Sequence, residues 1–298
     1  MIGIIGILNN PATSLNSHSA GMVYIVSKLF NAKILTETDE WDKFDELIIY
    51  HGVNFKEGSF NVIGGINDKI MERANKLSSF KGKVSTLDGF QLNDFSKKRK
   101  LVLWDDVNNI GKVSLPSKPN IVIGDSHSLS VWPNSEYEIS RNDGKTLHGF
   151  LKMDVDLSKY TRSILYFGNI DIRFHLMRQS NPKKATVDLF SRYCEYANKY
   201  GSTITQLLPI ENESRIIPGT GKYKGKNFFG SWEERNELRD LANNVMSESG
   251  LNIIKWPDYF KNDLGELKFD VMEPKQSVHI KPKFYIRNQY LLNDGKLF

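Results

Sequence analysis

Cysteine is nearly absent: Cys194 is the only one in the chain. An internal disulfide is therefore excluded, and with it the stapled scaffolds of small secreted domains. Long apolar runs are missing too. No window approaches the roughly 18 consecutive apolar residues of a membrane-spanning helix. The opening MIGIIGILNN lacks a basic segment and a small-residue cleavage site, so it is expected to be a buried first strand rather than a signal peptide. With the lone cysteine, that points to a reducing cytoplasm. His18, His51, His127, His148, His175 and His279 stand at no metal-ligand spacing such as His-x₃-His, so neither a zinc site nor another cofactor is expected. Gly-x-Gly-x-x-Gly is absent, as are a P-loop, internal repeats and low-complexity tracts.

Charge of one sign is not concentrated either. Residues 1–118 hold 15 basic against 13 acidic side chains and residues 119–298 hold 25 against 22, giving a net +5. Such a spread permits a polyanionic partner without arguing for one. Hydrophobic residues at 40% and charged residues at 25% are ordinary for a soluble globular enzyme, and 298 residues suit one large or two medium domains.

What is present is an alternation of strand-like and helix-like segments. In the first part, residues 2–8 form an apolar run, and Met22, Ile25, Val26 and Leu29 share one helical face. Strands are expected at 33–36, 46–50 and 83–87, and a helix at 67–77. Residues 94–118, with the charge run Lys97–Lys100, are expected to connect two units. The second part starts with a buried-strand pattern at Asn120–Ile123. Further strands are expected at 136–140, 164–167, 203–208 and 252–256. Between them, a helix over 182–200 has Asn181 as cap and Pro182 in its first turn, with Val187, Phe190, Cys194 and Ala197 on one face. A second helix opens on the capping box Ser231–Glu234 and stops before Gly250. The expectation is an α/β protein: a small Rossmann-like α/β unit over 1–118, then a parallel-sheet domain over 119–298.

Three polar clusters fall at strand ends or in a late loop: Asp125-Ser126-His127, Asn169-Ile170-Asp171 and the His279 loop. In an open parallel sheet, ligands sit beyond the carboxyl ends of the strands, so these clusters are expected on one rim. A serine at a strand-to-helix turn is exposed beside backbone N–H donors, and a histidine from a late loop can take its proton.

Four segments resemble the conserved blocks of SGNH/GDSL hydrolases, in order along the chain. Gly124-Asp125-Ser126-His127 resembles the first block, in the form with histidine after serine. Gly144-Lys145-Thr146-Leu147 resembles the second. Phe167-Gly168-Asn169-Ile170-Asp171-Ile172-Arg173-Phe174-His175 resembles the third, closest to a subgroup often found near polysaccharide-biosynthesis genes. Ser277-Val278-His279-Ile280-Lys281-Pro282 resembles the last. The likeness covers roughly residues 120–285 and implies a flavodoxin-like domain. It further implies a nucleophile at Ser126, a base at His279 and oxyanion donors at Ser126, Gly144 and Asn169. The implied substrate is a small-molecule or glycan- or lipid-linked ester. Two positions depart from the family pattern. Ile170 stands where the third block usually has asparagine, and Gln276 stands where an acid usually precedes the histidine. An orienter for His279 is thus expected from Glu273, Asp270 or a backbone carbonyl.

Each residue also has a plainer reading. Ser126 can be the N-cap of the helix after its strand, Asp125 a loop acceptor and His127 either a substrate contact or a prop. Asp171 and Arg173 are expected to pair locally, with substrate contact as the alternative, because a guanidinium at a strand end can hold a carboxylate or phosphate bidentately. His175 is expected to be packed, and Cys194 to be core. Residues 218–230, PGTGKYKGKNFFG, offer Lys222, Lys224 and Lys226 with aromatics to an anionic or sugar-bearing ligand. The loop over 9–19 and His51 are weaker candidates for phosphate contact. These features sustain two rival readings: a transferase acting on a nucleotide, nucleic-acid base or sugar, and a non-catalytic binding module on the same scaffold.

Overall fold

A computed structural model describes residues 1–6, 18–36, 38–50, 76, 79–87, 111–142, 144–211, 229–272 and 279–286. The chain splits into two compact units, Met1–Ser117 and Lys118–Phe298. Both are built on an all-parallel five-stranded sheet with interspersed helices, an α/β architecture.

The first unit contains β1 (Ile2–Gly6), α1 (His18–Leu29), β2 (Lys33–Ile34), β3 (Glu46–Tyr50), β4 (Lys83–Leu87) and β5 (Gly111–Val113). Their order across the sheet is β2-β1-β3-β4-β5. Isoleucine-rich β1 pairs along its length with β3, from Ile2 opposite Glu46 to Gly6 opposite Tyr50. Ile4, Ile5, Leu47 and Ile48 are buried, and Ile25, Val26 and Leu29 of α1 are buried with them. Such unbroken apolar strands belong to parallel sheets covered on both faces. β5 is a strand the sequence pattern missed, because three residues, Gly-Lys-Val, carry no periodicity to read. The helix expected at 67–77 lies outside the described residues except for Lys76, which is helical. The Lys97–Lys100 run lies outside them as well.

In the second unit, β6 (Asn120–Gly124), β7 (Tyr137–Arg141), β8 (Arg162–Tyr166), β9 (Thr203–Thr205) and β10 (Ile253–Ile254) are arranged β10-β9-β8-β6-β7. Numbered within the unit, that is 2-1-3-4-5, the strand order of flavodoxin-like doubly wound sheets. The first unit has the same order. In this topology the switch point lies between the first and third strands, here β6 and β8. Ligands bind beyond their carboxyl ends.

The helices of this unit are α2 (Leu147–Leu151), α3 (Asn169–Phe174), α4 (Pro182–Lys199) and α5 (Trp232–Glu248). Asn181 caps α4 by accepting from the Lys184 amide at 3.0 Å. Ser231 and Glu234 close the reciprocal capping box of α5 at 3.1 and 2.7 Å. Phe190, Cys194 and Ala197 of α4 are buried, as the apolar spacing implies, but Val187 is 37% exposed. The buried arc runs instead through Thr186, Leu189, Phe190, Tyr193 and Ala197. Val187 sits one residue, roughly 100°, round the helix from Thr186. Thr186 tolerates burial because its hydroxyl donates to the Pro182 carbonyl at 2.8 Å. The core beneath the helices includes Phe150 stacked on Phe167, with ring centroids 4.2 Å apart.

Candidate functional site

The carboxyl end of β6 is shaped by close approach to β8. A Cβ on Gly124 would lie 2.4 Å from the Tyr166 carbonyl oxygen and 2.8 Å from Ser128 Cβ, so only glycine fits. The Asp125 amide donates to that same Tyr166 oxygen at 3.1 Å. The chain then enters a 3-10 turn, Ser126–Val131, whose cap is Asp125 rather than Ser126. Asp125 Oδ1 accepts from the His127 amide at 2.8 Å, and the Ser128 hydroxyl donates to the Asp125 carbonyl at 2.8 Å. With the capping done by Asp125, the Ser126 hydroxyl is spared from the turn. Between Asn120 and Trp132, Ser126 alone is not buried.

His279 arrives from the other end of the unit. Ile280 bridges Met272 in antiparallel register, and the Lys281 amide donates to the Val271 carbonyl at 2.9 Å. Ile280 and Pro282 are buried, which pins His279 between anchored neighbours. His279 Nε2 and Ser126 Oγ are 2.7 Å apart. The serine hydroxyl can donate to the imidazole, the geometry needed for proton removal. Next to these anchors, the Asp270 carbonyl accepts from Lys281 Nζ at 2.6 Å. Glu273 and Gln276 lie outside the described residues.

His127 is buried with its Nδ1 2.9 Å from Asp125 Oδ1, and its ring centroid lies 4.7 Å from that of His279. The pair thus backs the Ser126–His279 contact.

At the end of β8, Gly168 takes a left-handed φ of +107°, and a Cβ there would meet the Phe190 ring at 2.7 Å. Asn169 follows as the first residue of α3. It is buried, and its side-chain amide lies against the Tyr166 phenol without a hydrogen bond of full geometry. Ile170, at the position where the family pattern has asparagine, is only half-buried. Gly144 is exposed with φ +71° in the segment that leaves β7, where the Asn142 amide donates to the Gly124 carbonyl at 2.8 Å. This segment and Asn169 both issue from strands bordering β6.

The expected Asp171–Arg173 pair does not form. Arg173 turns to Glu211, with Nε 3.1 Å from both carboxylate oxygens and Nη2 2.7 Å from Oε2. Its Nη1 donates to the Asn169 carbonyl at 3.3 Å. Burial opposes the guanidinium charge, but the Glu211 carboxylate more than offsets this and holds the Arg173 pKa above its ordinary value. Arg173 thereby ties Glu211 to the Asn169 backbone. Glu211 had no local signal, since it lies 38 residues from its partner. Asp171 instead holds the start of α2, accepting from the Leu147 amide at 2.6 Å and more distantly from His148 at 3.4 Å. Burial lifts its carboxyl to about 6, although those two amides pull it down.

A cavity of about 400 Å³ opens beside α4, lined in part by Thr146, Asp171, His175, Leu189 and Arg192. His175 borders this space rather than packing into the core. Lys222, Lys224 and Lys226, the loop over 9–17 and His51 lie outside the described residues. Among the described residues, no group of three or more His, Cys, Asp or Glu is placed to hold a metal ion. No described helix is long and apolar enough to cross a membrane. No protein-family model matches this chain, and no curated protein matches it.

Proposed function

We propose that the C-terminal unit is an SGNH-like enzyme that hydrolyses or transfers an acyl ester through Ser126 and His279. The observation that carries this reading is the 2.7 Å contact between Ser126 Oγ and His279 Nε2 at the sheet's switch point. Ser126 Oγ attacks the ester carbonyl while its proton passes to His279 Nε2. The amides of Ser126 and Gly144 and the Asn169 side chain hold the developing oxyanion. The placement of buried Asn169 at the carboxyl end of β8, the strand beside β6, supports that role. His279 returns the proton to the leaving oxygen as the ester bond breaks. Water or an acceptor hydroxyl then attacks the acyl-enzyme, giving its proton to His279, and Ser126 is regenerated. The motif resemblance suggests a glycan- or lipid-linked ester as the natural substrate.

The rival transferase reading draws on the 9–19 loop, Arg173 and the lysine-rich loop over 218–230 to grip phosphates; of its polar side chains only Arg173 is among those described, and its guanidinium is paired with Glu211. A binding module requires no serine aligned on an imidazole.

Purified protein assayed against a panel of aryl acetates and acyl-CoA tests the proposal. Ser126→Ala and His279→Asn are expected to reduce turnover to background. Equal rates for wild type and Ser126→Ala would remove the nucleophile.

A further inference from the structure

The proposed Ser126–His279 chemistry does not draw on the cavity of about 400 Å³ beside α4, whose size suits a small molecule. Three elements line it. Thr146 and His148 stand at the start of α2, Asp171 belongs to α3, and Asp188 and Arg192 lie one turn apart on α4. Leu176 and Leu189 supply an apolar part of the wall.

The charges of this lining are unevenly met. Asp188 pairs with Lys184, its Oδ2 lying 2.9 Å from Nζ. Asp171 accepts from the Leu147 amide at 2.6 Å and from the His148 amide at 3.4 Å. Among the described residues, by contrast, the Arg192 guanidinium and the His148 imidazole take part in no hydrogen bond or ion pair. Both side chains are exposed to the cavity's opening rather than buried. Burial, then Lys152 and then Arg192 hold the His148 imidazole below its ordinary pKa. Two like-signed groups thus face one space with nothing negative between them, and an anion placed there relieves both. His175, at the end of α3, adds a further imidazole to the wall.

Groups suited to hydroxyls border the same space. Thr146 Oγ1 accepts from the Gly149 amide at 2.9 Å and keeps its own O–H to donate. Gln179 spends one Nε2–H on the His175 carbonyl at 3.2 Å and retains its amide oxygen and a second N–H. The Asp171 carboxylate has lone pairs beyond those the two amides use.

We propose that this cavity binds a small hydroxylated anion, a sugar phosphate or a sugar acid, with the anionic group between Arg192 and His148 and the hydroxyls toward Asp171, Thr146 and Gln179. Phosphate and carboxylate offer a guanidinium the same paired oxygens, so either can fill the anionic position. The carbon skeleton lies against Leu176 and Leu189.

Isothermal titration calorimetry of the full chain with glucose 6-phosphate, glucuronate, glucose and inorganic phosphate tests the site. The first two probes separate a phosphate from a carboxylate ligand. At least one is expected to bind saturably with a Kd of about 1 mM or tighter, and glucose and inorganic phosphate at least about tenfold more weakly. Arg192→Gln and His148→Gln, both at exposed positions, are each expected to weaken binding about tenfold, the loss of one charge-assisted contact. A second readout comes from ¹³C-labelled histidine, with the His148 resonance assigned by its loss in His148→Gln. Bound anion is expected to raise the His148 midpoint, and Arg192→Gln to raise it in the free protein. No saturable binding of either anion up to about 10 mM overturns the proposal. Glucose binding as tightly as the anions removes the anionic contact, and inorganic phosphate binding as tightly removes the hydroxyl contacts; each overturns it. So does full affinity in Arg192→Gln, or a His148 midpoint that ligand leaves unmoved. Because these measurements read binding, a protein that turns over no ester sinks the catalytic reading alone, and an esterase that binds neither anion sinks this one alone.

Discussion

Replacing Glu211 with glutamine leaves the shape of the Arg173 site intact and removes the charge that balances it. Arg173 and Glu211 side chains are 3% and 1% exposed, so neither can recover hydration without local opening. Removing one partner of such a pair costs about 3–5 kcal/mol, chiefly from the stranded charge. With a urea dependence of about 2 kcal/mol per molar, the unfolding midpoint of this unit should fall by about 1.5–2.5 M. Three of the five tryptophans, Trp132, Trp232 and Trp256, lie in this unit, so intrinsic fluorescence reports the transition. The double variant Arg173→Met with Glu211→Leu should regain most of the loss, since an apolar pair of similar volume leaves no charge unmatched. Turnover should fall in Glu211→Gln even under folding conditions, because Arg173 also holds the Asn169 carbonyl. A midpoint within about 0.3 M of wild type, or a double variant weaker than the single one, would refute the brace.

Asn169→Ala should lower kcat by about 10²–10³ with little change in KM, as expected for a lost oxyanion donor; steady-state rates on an aryl acetate check it. The Asp171 carboxyl, lifted to about 6 from 3.8, gives the folded state a tighter hold on that proton. The stability it adds is complete below about pH 4 and fades as pH climbs through about 6, by up to about 3 kcal/mol. The urea midpoint of wild type relative to Asp171→Asn should therefore fall between pH 4.5 and 7, whereas a constant difference rejects the assignment. Gly168→Ala combines a left-handed φ with a Cβ 2.7 Å from the Phe190 ring, so the thermal midpoint should drop by several degrees.

Much of the scaffold could be read from the chain because its signals are local. The capping box at Ser231–Glu234, the Asn181 cap and the apolar run into Gly124 each declare themselves within a few residues. The order of the four blocks was enough to nominate Ser126 and His279 as partners. What could not be read depends on contacts between distant segments. Arg173 was assigned to its near neighbour Asp171, but helix geometry put Asp171 against the α2 amides and left Glu211 to balance the guanidinium. Ser126 looked eligible as a cap, and only the backbone angles of Asp125 and its bond to the His127 amide show which residue does that work. The cavity beside α4 draws on α2, α3 and α4 together, so no single stretch announces it.

Ser126 and His279 stand 153 residues apart in the chain. During synthesis at about 5–20 residues per second, the serine precedes its histidine by roughly 8–30 s. Throughout that interval the nascent chain carries a hydroxyl with nothing to ionise it. On the proposed chemistry, reactivity is thereby withheld until synthesis has passed His279 and that segment has folded back onto Ser126.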